Sequence, residues 1–255
     1  MFNFGKNWEE YSLKKLDHVR LEQAMNSILD LLTEEEIKAK SFLDIGCGTG
    51  IFSIAARKLG AYRVVGVDIN PKCIEVAQKN SKYYLETNSQ PEFRVASALD
   101  SEALENLGSF DIVYAWGSLH HTGNMDVAIR NSGEHVKQNG KLILAIYNRH
   151  FTSPVWKFIK WFYNVVPGFA KTIMICMFWV IILIAKSSVT GKNPFKMERG
   201  MDFFYDVIDW VGGYPYEYAT IQEIKGLVQT HGFKILKTIP AKVPTGCNEF
   251  VFIKK

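Results

Sequence analysis

Three groups of residues have the types and spacing to do chemistry. The first is the run Asp44-Ile45-Gly46-Cys47-Gly48-Thr49-Gly50, with glycine at alternate positions after an apolar stretch carrying one carboxylate. Glycine tolerates positive φ and has no Cβ, so such a loop can turn tightly and let its backbone approach a ligand. The residues from Ile51 onward read as a helix, and unpaired N–H groups at a helix start favour a carboxylate or phosphate. The second is Asp68, at the tip of the β-branched run 63–67. A carboxylate about 20 residues past a glycine loop is placed either for the two hydroxyls of a ribose or to cap the helix that follows. The third is the pair His120-His121, behind the apolar run 110–115. An imidazole titrates near neutrality and can take a proton from an acceptor group.

A dinucleotide-binding loop would need glycine at position 51, where this chain has Ile51. Spacing of one residue throughout, with Asp44 two places before the first glycine, instead resembles the Asp-x-Gly-x-Gly-x-Gly loop of class I S-adenosylmethionine-dependent methyltransferases, and the match is complete. That resemblance implies S-adenosylmethionine as donor. Its implied contacts are Asp44, Gly46, Cys47, Gly48 and Gly50 in the loop, Asp68 and Ile69 after the second strand, Ser97 and Ala98 after the third, and Trp116 after the fourth. In the family the loop acid helps hold the amino-acid end of the cofactor. Many members carry Gly-Asp-Ala where this chain has Ser97-Ala98-Leu99-Asp100, so Ser97, the Ala98 backbone or Asp100 replaces the usual acid near the adenine amine. The segment 1–16, with Phe2, Phe4, Trp8 and Tyr11, is either an arm packed on the domain or a lid that brings Trp8 over the cofactor. The phrases Trp-Gly-x-Leu-His-His-Thr-Gly, Asp-Trp-x-Gly-Gly-Tyr-Pro-Tyr-Glu and Cys-Asn-Glu-Phe resemble a subgroup of bacterial methyltransferases. Some of their relatives act on glycans or small metabolites.

Methyl transfer from a sulfonium is an in-line displacement with an activated donor, so orientation does most of the work and a base is optional. For a hydroxyl acceptor the candidate bases are His121 and then His120, with Tyr147, Asp209, Tyr214, Tyr216, Glu217, Asn248 and Glu249 as residues that contact or orient the substrate. A metal reading of the paired histidines lacks a third ligand at useful spacing. The product of the reaction would be S-adenosylhomocysteine.

The elements that must position these residues follow from hydrophobic pattern. Apolar runs alternate with helical segments over 42–147, which predicts a parallel, doubly wound α/β sheet. Within a single 255-residue domain, 42–147 is the cofactor core, 148–217 a helical insertion after the fifth strand, and 218–255 a last helix and strand pair, giving a Rossmann-like seven-stranded fold. A helix over 126–137, a turn at Gly140 and a loop over 206–217 dense in acids and aromatics are expected. A net charge of +4 without an arginine-rich run argues against a nucleic-acid partner, and four scattered cysteines read as reduced thiols of a cytoplasmic protein. No apolar core of a signal peptide is seen near Met1.

Residues 173–185 are all apolar, with Lys171 and Lys186 at the flanks. Thirteen residues of helix rise about 20 Å, short of a hydrocarbon core near 30 Å. The insertion is then a helical cap, or else a membrane-surface hairpin or greasy lid over a lipid-linked acceptor such as a polyprenyl quinone, helped by Lys192, Lys196 and Arg199. A module that binds the cofactor without turnover is the reading from another class.

Overall fold

The computed structural model describes residues 17–190 and 203–255. Segment 1–16, which holds Trp8, therefore lies outside the described residues, as do Lys192, Lys196 and Arg199.

Helix α1 (His18–Leu29) starts on Asp17, whose carboxylate accepts from the Arg20 amide, and buries Leu21, Ala24 and Ile28 at helical spacing. A short helix α2 (Glu34–Ile37) leads to β1 (Ser41–Ile45), α3 (Ile51–Lys58), β2 (Arg63–Asp68) and α4 (Pro71–Tyr84). Helix α4 opens as expected, with the Asn70 side chain accepting from the Lys72 amide and proline in the first turn. Then come β3 (Glu92–Val95), α5 (Ser101–Glu105), β4 (Phe110–Trp116), a 3₁₀ turn (Leu119–His121), α6 (Met125–Glu134) and β5 (Val136–Tyr147). The insertion supplies α7 (Ser153–Val165), α8 (Gly168–Thr190) and α9 (Phe203–Gly212); α10 (Ile221–Gln229), β6 (Phe233–Ile239) and β7 (Cys247–Lys254) close the domain.

The seven strands lie in the order β3-β2-β1-β4-β5-β7-β6. The first five run parallel, and β7 enters antiparallel between β5 and β6. Successive residues of a strand point to opposite faces, so the central strands bury both. Leu43, Ile45, Val113, Leu142 and Leu144 meet α6 and α10 on one face, whereas Phe42, Ile112, Tyr114 and Ile143 meet α1 and α3 on the other. Burial on both faces is why these strands read as unbroken apolar runs.

Two boundaries differ from expectation. Helix α6 stops at Glu134 and β5 begins at Val136, so Gly140 sits inside a strand and not in a turn. The β4–β5 register shifts between Phe110 and Ile112, and a Cβ on Gly140 would stand 2.8 Å from the Lys137 carbonyl and 2.9 Å from that of Asp111. That is a bulge, where glycine marks close backbone approach. Residues 203–212 form helix α9 where a loop is expected; Phe203, Val207 and Val211, four apart, pack on α7 and α8, and this apolar period outweighs the turn formers that follow.

At the end of the sheet away from the strand tips, Asp111 laces three strands together. Its Oδ2 accepts from the Ser41 amide (2.9 Å), the Ser41 hydroxyl (2.6 Å) and Lys137 Nζ (3.0 Å). Burial pushes its pKa up, but the bonds from Ser41 and Lys137 outweigh it and hold the carboxyl at about 2. A carboxyl depressed in the folded state stabilises fully above its unfolded pKa and loses that contribution as pH falls through the folded one. Urea midpoints should therefore drop between about pH 4 and about pH 2, and Asp111→Asn should flatten that part of the curve; an unchanged slope would show the cluster to be inert.

Candidate active site

The glycine loop is pinned before any ligand enters, because the amides of Gly46 and Cys47 both donate to the Val67 carbonyl, at 2.7 and 2.9 Å. Gly46, Gly48 and Gly50 all take positive φ, at 77°, 52° and 75°. They do different work. A Cβ on Gly46 would lie 2.3 Å from Ser118 Cβ, and one on Gly50 would lie 2.8 Å from Ala77 and 2.9 Å from the Phe93 ring, whereas at Gly48 nothing stands within 4 Å. Gly46 and Gly50 permit protein packing; Gly48 leaves open the cradle into which a ligand can approach the backbone.

Asp68 closes one side of that cradle. Its Oδ2 accepts from Gly48 N–H at 3.0 Å and its Oδ1 from Asn70 N–H at 2.8 Å. Burial pushes its pKa up, and these two bonds oppose the shift. Each oxygen of an ionised carboxylate has a second lone pair, so a vicinal diol can still be received. Beside it Ile69 is 60% exposed, and Leu99, in the turn after β3, is 38% exposed. Leu99 was not among the expected contacts, although an apolar residue that no periodic face claims is the signal for it.

The other expected donor residues already have partners within the fold. Asp44 is buried, its carboxylate takes the Ser53 hydroxyl at 2.7 Å, and burial pushes its pKa up to about 7 against that bond. Its visible task is to tie β1 to α3. Asp100 is the cap of α5, its Oδ1 accepting from Ala103 N–H. Ser97 Oγ accepts from the Leu99 amide and the Ala98 carbonyl from Asn131, so both belong to the same folded turn. Cys47 is buried within the loop, and Trp116 is half-buried with its ring 6.2 Å from Phe52.

The two histidines separate. His120 is fully buried, its ring 3.9 Å from Tyr147 and 4.5 Å from His121. Burial first, then His121 and Lys160, push its pKa well down, with only the Ala145 carbonyl working the other way. It is core, and its candidacy as a base is withdrawn. His121 is half-buried, and its Nδ1 lies 2.7 Å from the Pro215 carbonyl. A carbonyl can only accept, so Nδ1 carries the proton and Nε2 the lone pair. Burial and Lys160 lower the His121 pKa to about 3, so the ring is neutral at physiological pH.

Among the acceptor candidates, Tyr147 and Asp209 stand close to this pair. Tyr147 contacts His120, His121 and Trp210, and Asp209 lies on α9 one turn before Gly213, whose amide it receives at 2.8 Å. Tyr214 is half-buried two residues before Tyr216. Tyr216 is fully buried behind Tyr147, at 5.2 Å, and cannot touch an acceptor directly. Glu217 accepts from the Gly123 and Met125 amides and so caps α6. Asn248 accepts from Ala241 N–H and donates to Asn148, which fastens the loop before β7. Glu249 is buried on β7 opposite Ala145. Tyr216, Glu217 and Asn248 thus each serve the fold, and nothing in the spacing of their neighbours could have shown the partners they find across it.

Two residues of this cluster escaped the sequence reading. A Cβ on Gly213 would stand 2.8 Å from His121 Cε1, so this glycine is what lets the end of α9 lie on the histidine. Lys160 reads as part of a polar stripe on α7, yet it is fully buried. Its Nζ donates to the Trp210 carbonyl and sits 4.3 Å from the Trp210 ring, 4.8 Å from Tyr216 and 5.8 Å from Tyr147. Burial lowers its pKa to about 7, with Asp209 and Asp206 opposing. Its spacing of four from Trp156 and three from Tyr163, both inward-facing, was the available signal.

Among the described residues no group of three histidine, cysteine or acidic side chains is arranged to hold a metal ion. A glycine loop after β1, an acid after β2 and a half-buried imidazole after β4, all at the carboxyl ends of a parallel sheet, define a nucleoside-cofactor fold with an acceptor crevice. A family model described as a methyltransferase domain matches residues 16–238, and the chain belongs to that family. Its sheet is that of the class I S-adenosylmethionine-dependent methyltransferases. The chain is 36% identical over 137 residues to a ubiquinone biosynthesis O-methyltransferase of Xanthomonas euvesicatoria, covering 54% of this chain and 52% of that one. Over 93 residues it is 41% identical to a Methanocaldococcus jannaschii protein named for N5-glutamine methylation, 36% of this chain and 43% of that one. It thus spans about half the length of the curated relatives it matches. The crystal structure of magnesium protoporphyrin IX methyltransferase from Synechocystis PCC 6803 with bound SAH superposes with a TM-score of 0.62 at 18% identity, covering 98% of this chain and 94% of that one; it shows the fold.

Substitution separates the roles of the glycines. Gly48→Ala meets no neighbour and should cost only about 1–2 kcal/mol for its left-handed φ, while S-adenosylmethionine affinity by calorimetry falls at least tenfold. Gly46→Ala adds a clash with Ser118 to the same strain and should lower the melting temperature by far more. Equal effects of the two on stability would refute the division. Lys160 gives a signed stability test. Its folded pKa lies below its unfolded one, so the cost of burying the charge is full below about pH 7 and fades as pH rises towards 10.5. Lys160→Met should raise stability at neutral pH by about 1–4 kcal/mol and remove the rise between pH 7 and 10.5; a destabilised variant would show the ammonium to be a net structural asset.

Proposed function

We propose that this chain transfers the methyl group of S-adenosylmethionine to a hydroxyl of a small-molecule or glycan acceptor. One observation supports this above the others: a neutral imidazole, oriented through Nδ1 by the Pro215 carbonyl, stands after β4 beside the strand tips that carry the Gly48–Asp68 cradle. The open Cβ position at Gly48 fits a bound nucleoside donor. Gly48 and Asp68 would hold it at the ribose side, Ile69 and Leu99 would flank the adenine near Ser97 and Ala98, and Asp44, Gly46, Cys47 and Gly50 shape the end that takes the amino acid. When bound, the donor supplies a methyl group already activated on a sulfonium.

The chain's own residues then have little covalent work to do. Positioning two reactants contributes about 7–11 kcal/mol, against a factor of about 10²–10⁴ for a base. A histidine with so depressed a pKa is a weak base in the resting state; its Nε2 accepts a hydrogen bond from the hydroxyl and aims an oxygen lone pair. As the oxygen–methyl bond forms and the sulfur–methyl bond breaks, it takes the hydroxyl proton, now strongly acidic, and passes it to water. Tyr147, Asp209 and Tyr214 complete the acceptor wall, with Glu249 buried behind it.

A second reading, a polyprenyl-type or other lipid-linked acceptor, is favoured by the apolar side chains that α7 and α8 leave exposed.

Transfer of a labelled methyl group from S-adenosylmethionine to a panel of phenols, sugars and polyprenyl phenols tests the assignment, and donor binding without transfer to any class would favour the non-catalytic module. His121 acts only when neutral, so its contribution is lost as pH falls through about 3, far below the working range. His121→Ala should therefore lower kcat by roughly 10²–10⁴, with the wild-type to variant ratio constant between about pH 5 and about pH 8. A ratio that collapses near pH 6.5 would overturn the orienting role.

A further inference from the structure

We propose that the hairpin formed by α7 and α8 is a docking surface for an anionic lipid bilayer. Its inner faces are accounted for: Tyr163, Ile175 and Phe178 are buried against Phe203, Val207 and Val211 of α9. Its outer faces are apolar and open. On α7, Phe158, Phe162 and Val165 recur at spacings of four and three and are 60%, 43% and 58% exposed. On α8, Phe169, Ile173, Met177, Ile181 and Ile184 form one stripe along the helix, exposed from 46% to 73%. Both stripes meet at the connecting turn, where Val165 and Phe169 flank Pro167 and Gly168. Contiguous exposed apolar surface of this kind marks an interaction site.

Charge selects the occupant. Residues 148–184 contain four lysines and arginines and no aspartate or glutamate. Arg149 pairs with Glu223 and Lys160 is buried, which leaves Lys157 and Lys171 as the cations of the hairpin that reach solvent. A second copy would bring the same cations against themselves, which disfavours self-association through this face. Phospholipid headgroups of negative charge neutralise them, at about 1 kcal/mol for each basic residue near the surface. Lys157 is exposed on α7, and the half-buried Lys171 lies near the turn with its ammonium over the Tyr163 ring and 3.5 Å from the Asn164 carbonyl. A long apolar stem lets such a side chain carry its charge to a headgroup layer. Trp161, 44% exposed beside Phe158, has the amphipathic ring that favours a bilayer interface.

The hairpin lies on the bilayer and does not cross it. No helix among the described residues is long and apolar enough to span a membrane. One side of α8 is also committed to the protein. The geometry matches an interfacial helix pair, apolar side down and protein core above. Through α9, which ends on His121 at Gly213, the same hairpin is mechanically continuous with the acceptor side of the crevice. The inference rests on the methyl-transfer reading only for that last link; the surface stands whatever the acceptor.

Flotation of the whole chain with phosphatidylcholine vesicles, with and without phosphatidylglycerol, tests it, alongside calorimetry with S-adenosylmethionine in lipid-free buffer. Protein should float with the anionic vesicles, at least tenfold less with phosphatidylcholine alone, and less again at high salt. Phe162→Glu and, separately, the milder surface change Lys157→Glu should each weaken flotation severalfold while leaving donor affinity unchanged. Protein that stays at the bottom of the gradient with anionic vesicles yet binds the donor overturns the docking surface and spares the enzymatic reading. Flotation indifferent to both substitutions overturns it too, as does a concentration-dependent dimer that Phe162→Glu dissolves without altering flotation.

Discussion

The contact between Gly46 and Ser118 holds the two halves of the site in register. Ser118 donates to the Ile45 carbonyl at 2.7 Å, and it can come so close only because position 46 lacks a side chain: a Cβ there would sit 2.3 Å from its own. Through this contact the tip of β1, which begins the donor cradle, is fixed against the turn that follows β4, which carries His121. Two reactants must meet within a few tenths of an ångström for positioning to supply its full effect. A parallel sheet cannot slide one strand past its neighbour to recover a lost ångström, since every residue of β1 between Phe42 and Asp44 is in register with β4 and with β2. The glycine at 46 thus belongs to the geometry of the reaction as much as to the loop.

The acceptor side is held by different means. Helix α9 is an addition to the sheet, and α7 reaches across to secure it: Asn164 donates to the Gly212 carbonyl and Lys160 to that of Trp210. Taking an ammonium out of water costs several kcal/mol. Cation–π contacts with three rings, at about 0.5–2 kcal/mol each, and one carbonyl offset that cost only in part. The fall in the Lys160 pKa to about 7 is the sign of the remaining imbalance. A methionine would pack the same space without it. The retained charge sits where, after burial, it lowers the basicity of His121, and this ties the protonation of the imidazole to the packing of α7.

What was legible in the residues follows the range of the forces. The loop, Asp68 at a strand tip, the Asn70 cap and the β-branched runs are local patterns governed by φ, capping and periodicity, and the structure reproduces each. Gly140 was misread because glycine marks a turn and a bulge alike, and only the neighbouring strand decides. Glu217, Asn248 and Tyr216 carry the right chemistry for a substrate contact, but Glu217 and the Asn248 amide group meet partners 92 and 100 residues away, the Asn248 carbonyl meets Ala241, and Tyr216 is buried. Lys160 failed in the opposite direction, since a cation on a helix is ordinarily solvated and nothing local says that aromatic rings from β5 and α9 will enclose it. Such pairings are properties of the assembled layers.

The histidine pair shows how far that limit reaches. In a 3₁₀ turn successive side chains diverge by about 120°, so one imidazole of an adjacent pair must point inward if the other faces the crevice. The dipeptide itself is symmetric. What breaks the symmetry is the segment after α9: Glu217 donates its amide to the His120 carbonyl, Pro215 receives His121 Nδ1, and Gly213 leaves room for the His121 ring. All three contacts come from the stretch between α9 and α10, which no part of the donor loop touches through them. The glycine loop is therefore held by the sheet, whereas the orientation of the His121 imidazole is dictated by the insertion.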